Sequence, residues 1–218
     1  MNGQHAAVVF THLNADAPAA ELLEQIFSQL VEHCNLDALQ FVVFDGLRIT
    51  NIAAATERVG LAVIDLCVAI KAATQAGSLY HHETDFIVVL RNADVEHLRK
   101  PQFERSNVWR DPLARSRRRR SAASAKCELS HGELPLAVIA DAIIESSAPG
   151  GIVLDANLGR GATLFAAEQT GRICYAIGSD PRHTDGVIRR WQQLTSTSAV
   201  HEEIGLSLDA LKENRYVG

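Results

Sequence analysis

Short β-branched runs alternate with amphipathic stretches along most of this chain, and that alternation restricts the fold more than any other feature. Residues 6–11 form a first apolar run of strand character. A helix opens at Asp16-Ala17-Pro18, because Leu22, Leu23, Ile26, Leu30 and Val31 then recur at spacings of three and four. Residues 41–44 are a strand ended by the Asp45-Gly46 turn signal, 52–59 a helix, 63–71 and 85–90 strands. Residues 134–146 put Leu136, Ile139, Ala140, Ile143 and Ile144 on one helical face, and Pro149-Gly150-Gly151 stops that helix. A strand at 152–155, a turn at Gly159-Arg160-Gly161, a helix at 162–170, a strand at 173–177 and a helix at 187–194 complete the series. The alternation predicts an α/β domain with a parallel or mixed sheet. No internal repeat is visible, and one domain over 1–218 with a polar surface tail from Ser196 is expected.

Composition excludes several classes. With 47% hydrophobic and 22% charged residues, the 218-residue chain has the proportions of an ordinary globular protein. No run approaches the roughly 18 apolar residues that span a bilayer, and the start lacks the pattern of a signal peptide. No membrane partner and a cytoplasmic location are therefore expected. The four cysteines, at 34, 67, 127 and 174, have no metal or redox spacing and read as reduced thiols.

The net charge of −5 conceals a division. Ten basic residues stand against two acidic ones between Arg99 and Lys126, a local balance of +8 that leaves −13 on the remainder. Periodicity is lost over 101–130, so a mobile basic surface loop is expected at about 99–130. Its centre holds Arg115, Arg117, Arg118, Arg119 and Arg120, which suit sequence-independent phosphate contacts or, equally, a solvated insertion with no partner.

The strand-turn-helix unit at 152–177 is the most informative piece. Asp155 ends a buried strand, and glycines at 159 and 161 precede a helix start, where backbone can approach a ligand. The unit lacks the third glycine of a dinucleotide fingerprint, so a purely structural turn stays open. His81-His82 with Glu83 and Asp85 is a poor metal set, since neighbours on a strand face opposite ways. Trp109 and Trp191 read as packing anchors, and His12 as a polar residue at a strand end without a placed partner.

The stretch Gly151-Ile-Val-Leu-Asp155-Ala-Asn-Leu-Gly159-Arg-Gly161-Ala-Thr163, continuing to Asp180-Pro181, resembles the cofactor region of S-adenosylmethionine-dependent DNA amino-methyltransferases. These act on adenine N6 or cytosine N4. The subgroup it resembles is the permuted one, in which the catalytic motif precedes the cofactor motif. Further likeness at Gly77-Ser-Leu-Tyr80, Ser106-Asn-Val-Trp109, His131 and Ile188-Arg-Arg-Trp-Gln192 extends it from about residue 7 to about residue 194. The resemblance implies a Rossmann-like methyltransferase fold: a mostly parallel sheet, helices on both faces, permuted motif order. It also implies S-adenosylmethionine as cofactor, with Asp155, Gly159, Gly161, Thr163 and His131 in the cofactor contacts.

Departures from the family pattern shape the functional expectation. The Asp-Pro-Pro-Tyr tetrad, whose acid and carbonyl accept from the exocyclic amine while the ring stacks on the flipped base, is His12-Leu13-Asn14-Ala15 here. Asp16 is the one substitute acid nearby, and no aromatic residue adjoins it. In the cofactor motif, Asp-Pro-Phe-x-Gly-Ser-Gly-Thr-Thr, the Pro is Ala156, the Phe Asn157, the Ser Arg160 and the first Thr Ala162. The ribose-binding Glu is Gly178, and the His-Pro-Thr-x-Lys-Pro segment keeps only His131. The expectation is a catalytically degenerate homologue with weak or lost cofactor binding, serving as a DNA-binding subunit through Arg115 and Arg117 to Arg120 or as a partner-binding subunit. Its protein partner is expected to be a second copy or an active methyltransferase. An active enzyme with an altered tetrad around Asp16, and a decayed gene product without a role, stay open beside it.

Overall fold

A computed structural model describes residues 3–13, 20–44, 46–76, 81–95, 103, 105–110 and 134–215. Seven strands form one sheet: β1 (Ala6–His12), β2 (Cys34–Phe44), β3 (Leu61–Ala76), β4 (His81–Asn92), β5 (Val108–Arg110), β6 (Ile152–Asp155) and β7 (Ile173–Ala176). Among the described residues the helices are α1 (Ala20–His33), α2 (Ile49–Arg58), α3 (Leu136–Ser146), α4 (Ala162–Gln169), α5 (Pro181–Thr195) and α6 (Leu208–Arg215). None is long and apolar enough to cross a membrane.

The strand order is β5-β3-β4-β2-β1-β6-β7. Only β4 pairs antiparallel, with β2 and β3, and every other pairing is parallel. The expected mostly parallel Rossmann-like sheet is therefore present, with one strand against its grain. Alternation along each strand divides two cores. Val8, Phe10, Phe41, Val43, Ile87, Val89 and Val153 pack against Val138, Ile139, Ala142 and Ile143 of α3 and Ala166 and Ala167 of α4. Val9, Val42, Phe44, Val88, Leu90, Ile152 and Leu154 pack on the other face against Leu23, Phe27 and Leu30 of α1 and Ile52 and Ala55 of α2. Helices thus cover both faces, and the near-continuous apolar runs of β1, β2, β4 and β6 follow because these central strands are buried on both.

Several expectations need correction. β2 starts at Cys34 rather than residue 41, its early part pairing with β1 at Ala6↔Cys34 before a register shift. β5 lies inside the stretch expected to be loop: Val108, Trp109 and Arg110 pair with Val68, Ala69 and Ile70. Trp109 is buried there beneath the Arg105 guanidinium at 4.6 Å, and Arg105 is tied to Asp141 at 2.8 Å and Glu145 at 3.5 Å. The helix expected at 187–194 starts at Pro181, because Asp180 caps it by accepting from the amides of Arg182 and His183. The tail adds α6 and a Val200↔Ser207 bridge.

Candidate functional site

β1 and β6 are parallel neighbours whose connections leave in opposite directions, β1 through α1 to β2 and β6 through α4 to β7. The carboxyl ends of two such strands flank a crevice where α/β sheets bind ligands. The structure brings Thr11, His12 and Leu13 of the β1 end to the Asp155 to Thr163 segment there.

Asp155 lies at the bottom, 2% exposed. The Asn157 amide donates to its Oδ1 at 3.0 Å. The Thr163 hydroxyl lies against the same carboxyl while donating to the Phe10 carbonyl at 3.2 Å. The fully buried Thr11 hydroxyl faces that carboxyl as well, outside ordinary hydrogen-bond geometry. Burial pushes the Asp155 pKa up to about 6, against the lowering effect of the Asn157 amide and the two hydroxyls. Above it, the Asn157 side-chain amide spans the crevice and donates to the His12 carbonyl at 2.7 Å. Of the tetrad positions, His12 is half-buried at the strand end, and Leu13 continues the pairing with β2 and turns into the core beneath α1. Asn14, Ala15 and Asp16 lie outside the described residues, as do His131 and the five arginines from Arg115 to Arg120.

The glycine turn is shaped by packing. Gly161 has φ +84°, and a Cβ there would meet Val187 Cγ1 at 2.5 Å, so α5 can approach only a glycine. At Gly159, with φ +45°, a Cβ would meet only the Asn157 carbonyl oxygen, at an ordinary contact distance of 3.7 Å. Arg160 is exposed, and its carbonyl accepts from Arg190, whose guanidinium lies 5.5 Å above the Phe165 ring. A Cβ at Gly178 would stand 2.2 Å from Thr184 Oγ1 and 3.2 Å from Leu158 Cδ2. Thr184 holds that place because its hydroxyl donates to the Asp180 carbonyl in the first turn of α5. Trp191 packs against the same small core and donates to Glu168 at 3.0 Å, as befits an anchor.

Of the residues the sequence singles out, the fold brings Asp155, Gly159, Gly161 and Thr163 to the crevice; the bridging role of Asn157, the hydroxyl of Thr11 and the filling role of Thr184 were not anticipated. A threonine inside the run Val8-Val9-Phe10-Thr11 is a signal for the second. The cysteines described are free, and burial pushes the Cys34 thiol up to about 12 and the Cys67 thiol, with Asp65 adding to the rise, up to about 11.

A mixed seven-stranded α/β sheet with a polar crevice at its reversal point defines a Rossmann-like domain of the methyltransferase class. Solved structures agree in fold. The cytosine-N4-specific PvuII DNA methyltransferase has a TM-score of 0.67 at 11% identity, over 89% of this chain and 86% of that one. The putative DNA modification methylase TTHA0409 from Thermus thermophilus, complexed with S-adenosyl-L-methionine, has 0.65 at 16%, over 94% and 91%. M1.HpyAVI has 0.64 at 19%, over 87% and 89%. No curated protein matches. The DNA methylase family model, for N6 and N4 methyltransferases, matches residues 23–188, and the chain belongs to that family.

Proposed function

We propose that this chain is a catalytically degenerate member of the N6/N4 DNA methylase family, retained as a DNA-binding or partner-binding subunit. The observation that carries this reading is the Asn157 side chain drawn across the crevice onto the His12 carbonyl. It lies over the one acidic cofactor contact the motif keeps, Asp155, which the chain's own amide and hydroxyls already engage. The residues present do not fit S-adenosylmethionine. Thr184 fills the space into which a ribose-binding side chain at 178 would extend, and Arg160 brings a cation to the turn that would face a positive sulfonium. The tetrad offers no acid at 12–15 and no aromatic ring to stack on a flipped base.

DNA is the partner that Arg115, Arg117, Arg118, Arg119 and Arg120 suit, through phosphate contacts. A second copy or an active methylase is the protein partner in this reading. The test has two arms. Calorimetric titration with S-adenosylmethionine is expected to give no binding in the micromolar range, and labelled methyl incorporation into duplex DNA to stay at the no-protein level. Micromolar binding, or incorporation that Asp16→Ala abolishes, overturns the reading in favour of an active enzyme with an altered tetrad.

A further inference from the structure

The chain beyond Ser196, expected to be a polar surface tail, builds a structure of its own against α5. Val187 and Trp191 of that helix turn toward Leu158 and Phe165. Asp185, Ile188 and Gln192 recur at spacings of three and four on a second face, roughly 100–160° around the axis from Val187. Ser196 ends the helix in the left-handed region at φ +57° and reverses the chain. The return is pinned to the second face, because the Ala199 amide donates to Gln192 Oε1 at 2.7 Å. The Leu208 amide then donates to the Ala199 carbonyl at 3.2 Å and the His201 amide to the Leu206 carbonyl at 2.9 Å. The Ser207 hydroxyl accepts from the Ala210 amide at 3.3 Å and opens α6.

This return frames a cavity of about 240 Å³ between α5 and α6. Ile188, Val200, Leu208 and Leu211 supply its apolar walls, and Asp185 and His201 its polar groups. None of these four apolar side chains belongs to the packed cores formed by the described residues. Protein interiors hold few voids larger than a water molecule, and an apolar cavity of about 150 Å³ already admits benzene. The space here suits a body of one or two fused rings.

Charge selects among molecules of that size. From Gln192 to Leu211 the chain carries three acidic residues, Glu202, Glu203 and Asp209, and no lysine or arginine. Asp185 stands half-buried in the apolar wall and forms no ion pair among the described residues. An unpaired carboxylate beside an apolar slot, inside an acidic surround, complements a cation with an apolar body.

We infer that this cavity binds a small amphipathic cation, a one- or two-ring apolar body carrying a single ammonium group. The rings lie among Ile188, Leu208 and Leu211, and the ammonium donates to the Asp185 carboxylate. The site is on the face of α5 turned away from α4 and its glycine turn, so it is separate from the crevice at Asp155. The inference does not rest on the loss of methyl transfer and holds for an active or an inactive chain.

The test uses the full chain and three probes that share one ring system: tryptamine, a cation; indole, neutral; and indole-3-acetate, an anion. Saturation-transfer NMR titrations are expected to give tryptamine a dissociation constant of about 1 mM or tighter, in keeping with about a dozen non-hydrogen atoms. Indole should bind roughly tenfold more weakly, for want of the charge-assisted bond, and indole-3-acetate not at all. Asp185→Asn should reduce tryptamine to the level of indole and leave indole unchanged, whereas a general attraction of cations to an acidic protein would survive that change. Leu211→Trp fills the cavity from the chain's own side and should abolish binding of all three probes without lowering the melting temperature. No binding of tryptamine at several millimolar, equal binding of the three probes, or tryptamine binding indifferent to Asp185→Asn overturns the inference. Should Leu211→Trp not fold, the comparison of the three probes on the parent and on Asp185→Asn decides by itself.

Discussion

The Asn157 side chain donates to the main-chain carbonyl of His12 across 145 residues of sequence, joining the turn after β6 to the end of β1. The ladder between those strands has only two register pairs, Val8↔Val153 and Val9↔Leu154. The clasp therefore carries their coupling past the last ladder pair, to the mouth of the crevice. Asn157→Ala removes this side-chain hydrogen bond, which costs about 1 kcal/mol. For a chain of this size the melting temperature should fall by roughly 2–4 °C. Thermal unfolding by circular dichroism checks this, and an unchanged midpoint would show the clasp to be incidental.

Asp155 makes stability depend on pH in a defined direction. Its folded pKa of about 6 lies above its ordinary value of 3.8, so the folded chain holds the proton more tightly than the unfolded one. The stability this group contributes is fully present below about 3.8 and is lost as the pH rises through about 6. A shift of that size corresponds to at most about 3 kcal/mol. Asp155→Asn keeps an oxygen to accept from the Asn157 amide and has no charge to desolvate. The variant should gain stability over the parent between pH 4 and pH 7, and the gain should level off above that. Urea midpoints of both proteins at several pH values measure the difference, and a gap independent of pH would show Asp155 to be unperturbed.

The same contrast marks what could be read from the sequence. Ile152–Asp155 and the helix after Gly161 were legible because their signals are local: a buried apolar run, a glycine turn, a helical period. The direction of β4 was not, since a run buried on both faces looks the same read either way. β5 is three residues long and owes its place to Arg105 above Trp109, a contact made in three dimensions. The start of α5 was written in Asp180-Pro181, but apolar periodicity begins only at Val187 and drew the boundary there. Within the site, the acid, the glycines and Thr163 follow a spacing. The bridge from Asn157 to His12 and the occupation of Gly178 by Thr184 follow only from how the chain folds back on itself.

Under the proposed reading, building a ribose contact at position 178 requires three changes. Gly178→Glu with Arg160→Ser replaces the missing acid and removes the cation, but the new Cβ would stand 2.2 Å from Thr184 Oγ1. Thr184 sits in the first turn of α5 with its hydroxyl bound to the Asp180 carbonyl, so it does not swing aside freely. The double variant should lose about 1–3 kcal/mol to overpacking. Adding Thr184→Ala should recover most of that loss and give calorimetrically detectable binding of S-adenosylmethionine. A triple variant that is stable and still binds no better than the parent would place the obstruction elsewhere, with the Asn157 clasp the next candidate.

Under the proposed reading, the basic run decides between a DNA-binding subunit and one that serves a protein partner. If Arg115 and Arg117 to Arg120 contact phosphates, the logarithm of duplex affinity should fall linearly with the logarithm of salt, with a slope near −0.9 per phosphate neutralised. Five arginines set an upper bound of about −4.5 on their share of the slope. Replacing all five with serine should flatten the salt dependence by up to that amount. Thermal stability should stay within about 0.5 kcal/mol of the parent, since a stretch this poor in apolar side chains contributes little to a core. Fluorescence anisotropy with a short labelled duplex over a series of salt concentrations measures both the affinity and the slope. If the serine variant binds like the parent, or the parent binds no duplex even at low salt, the arginines are bystanders and the retained fold is better explained by a protein partner.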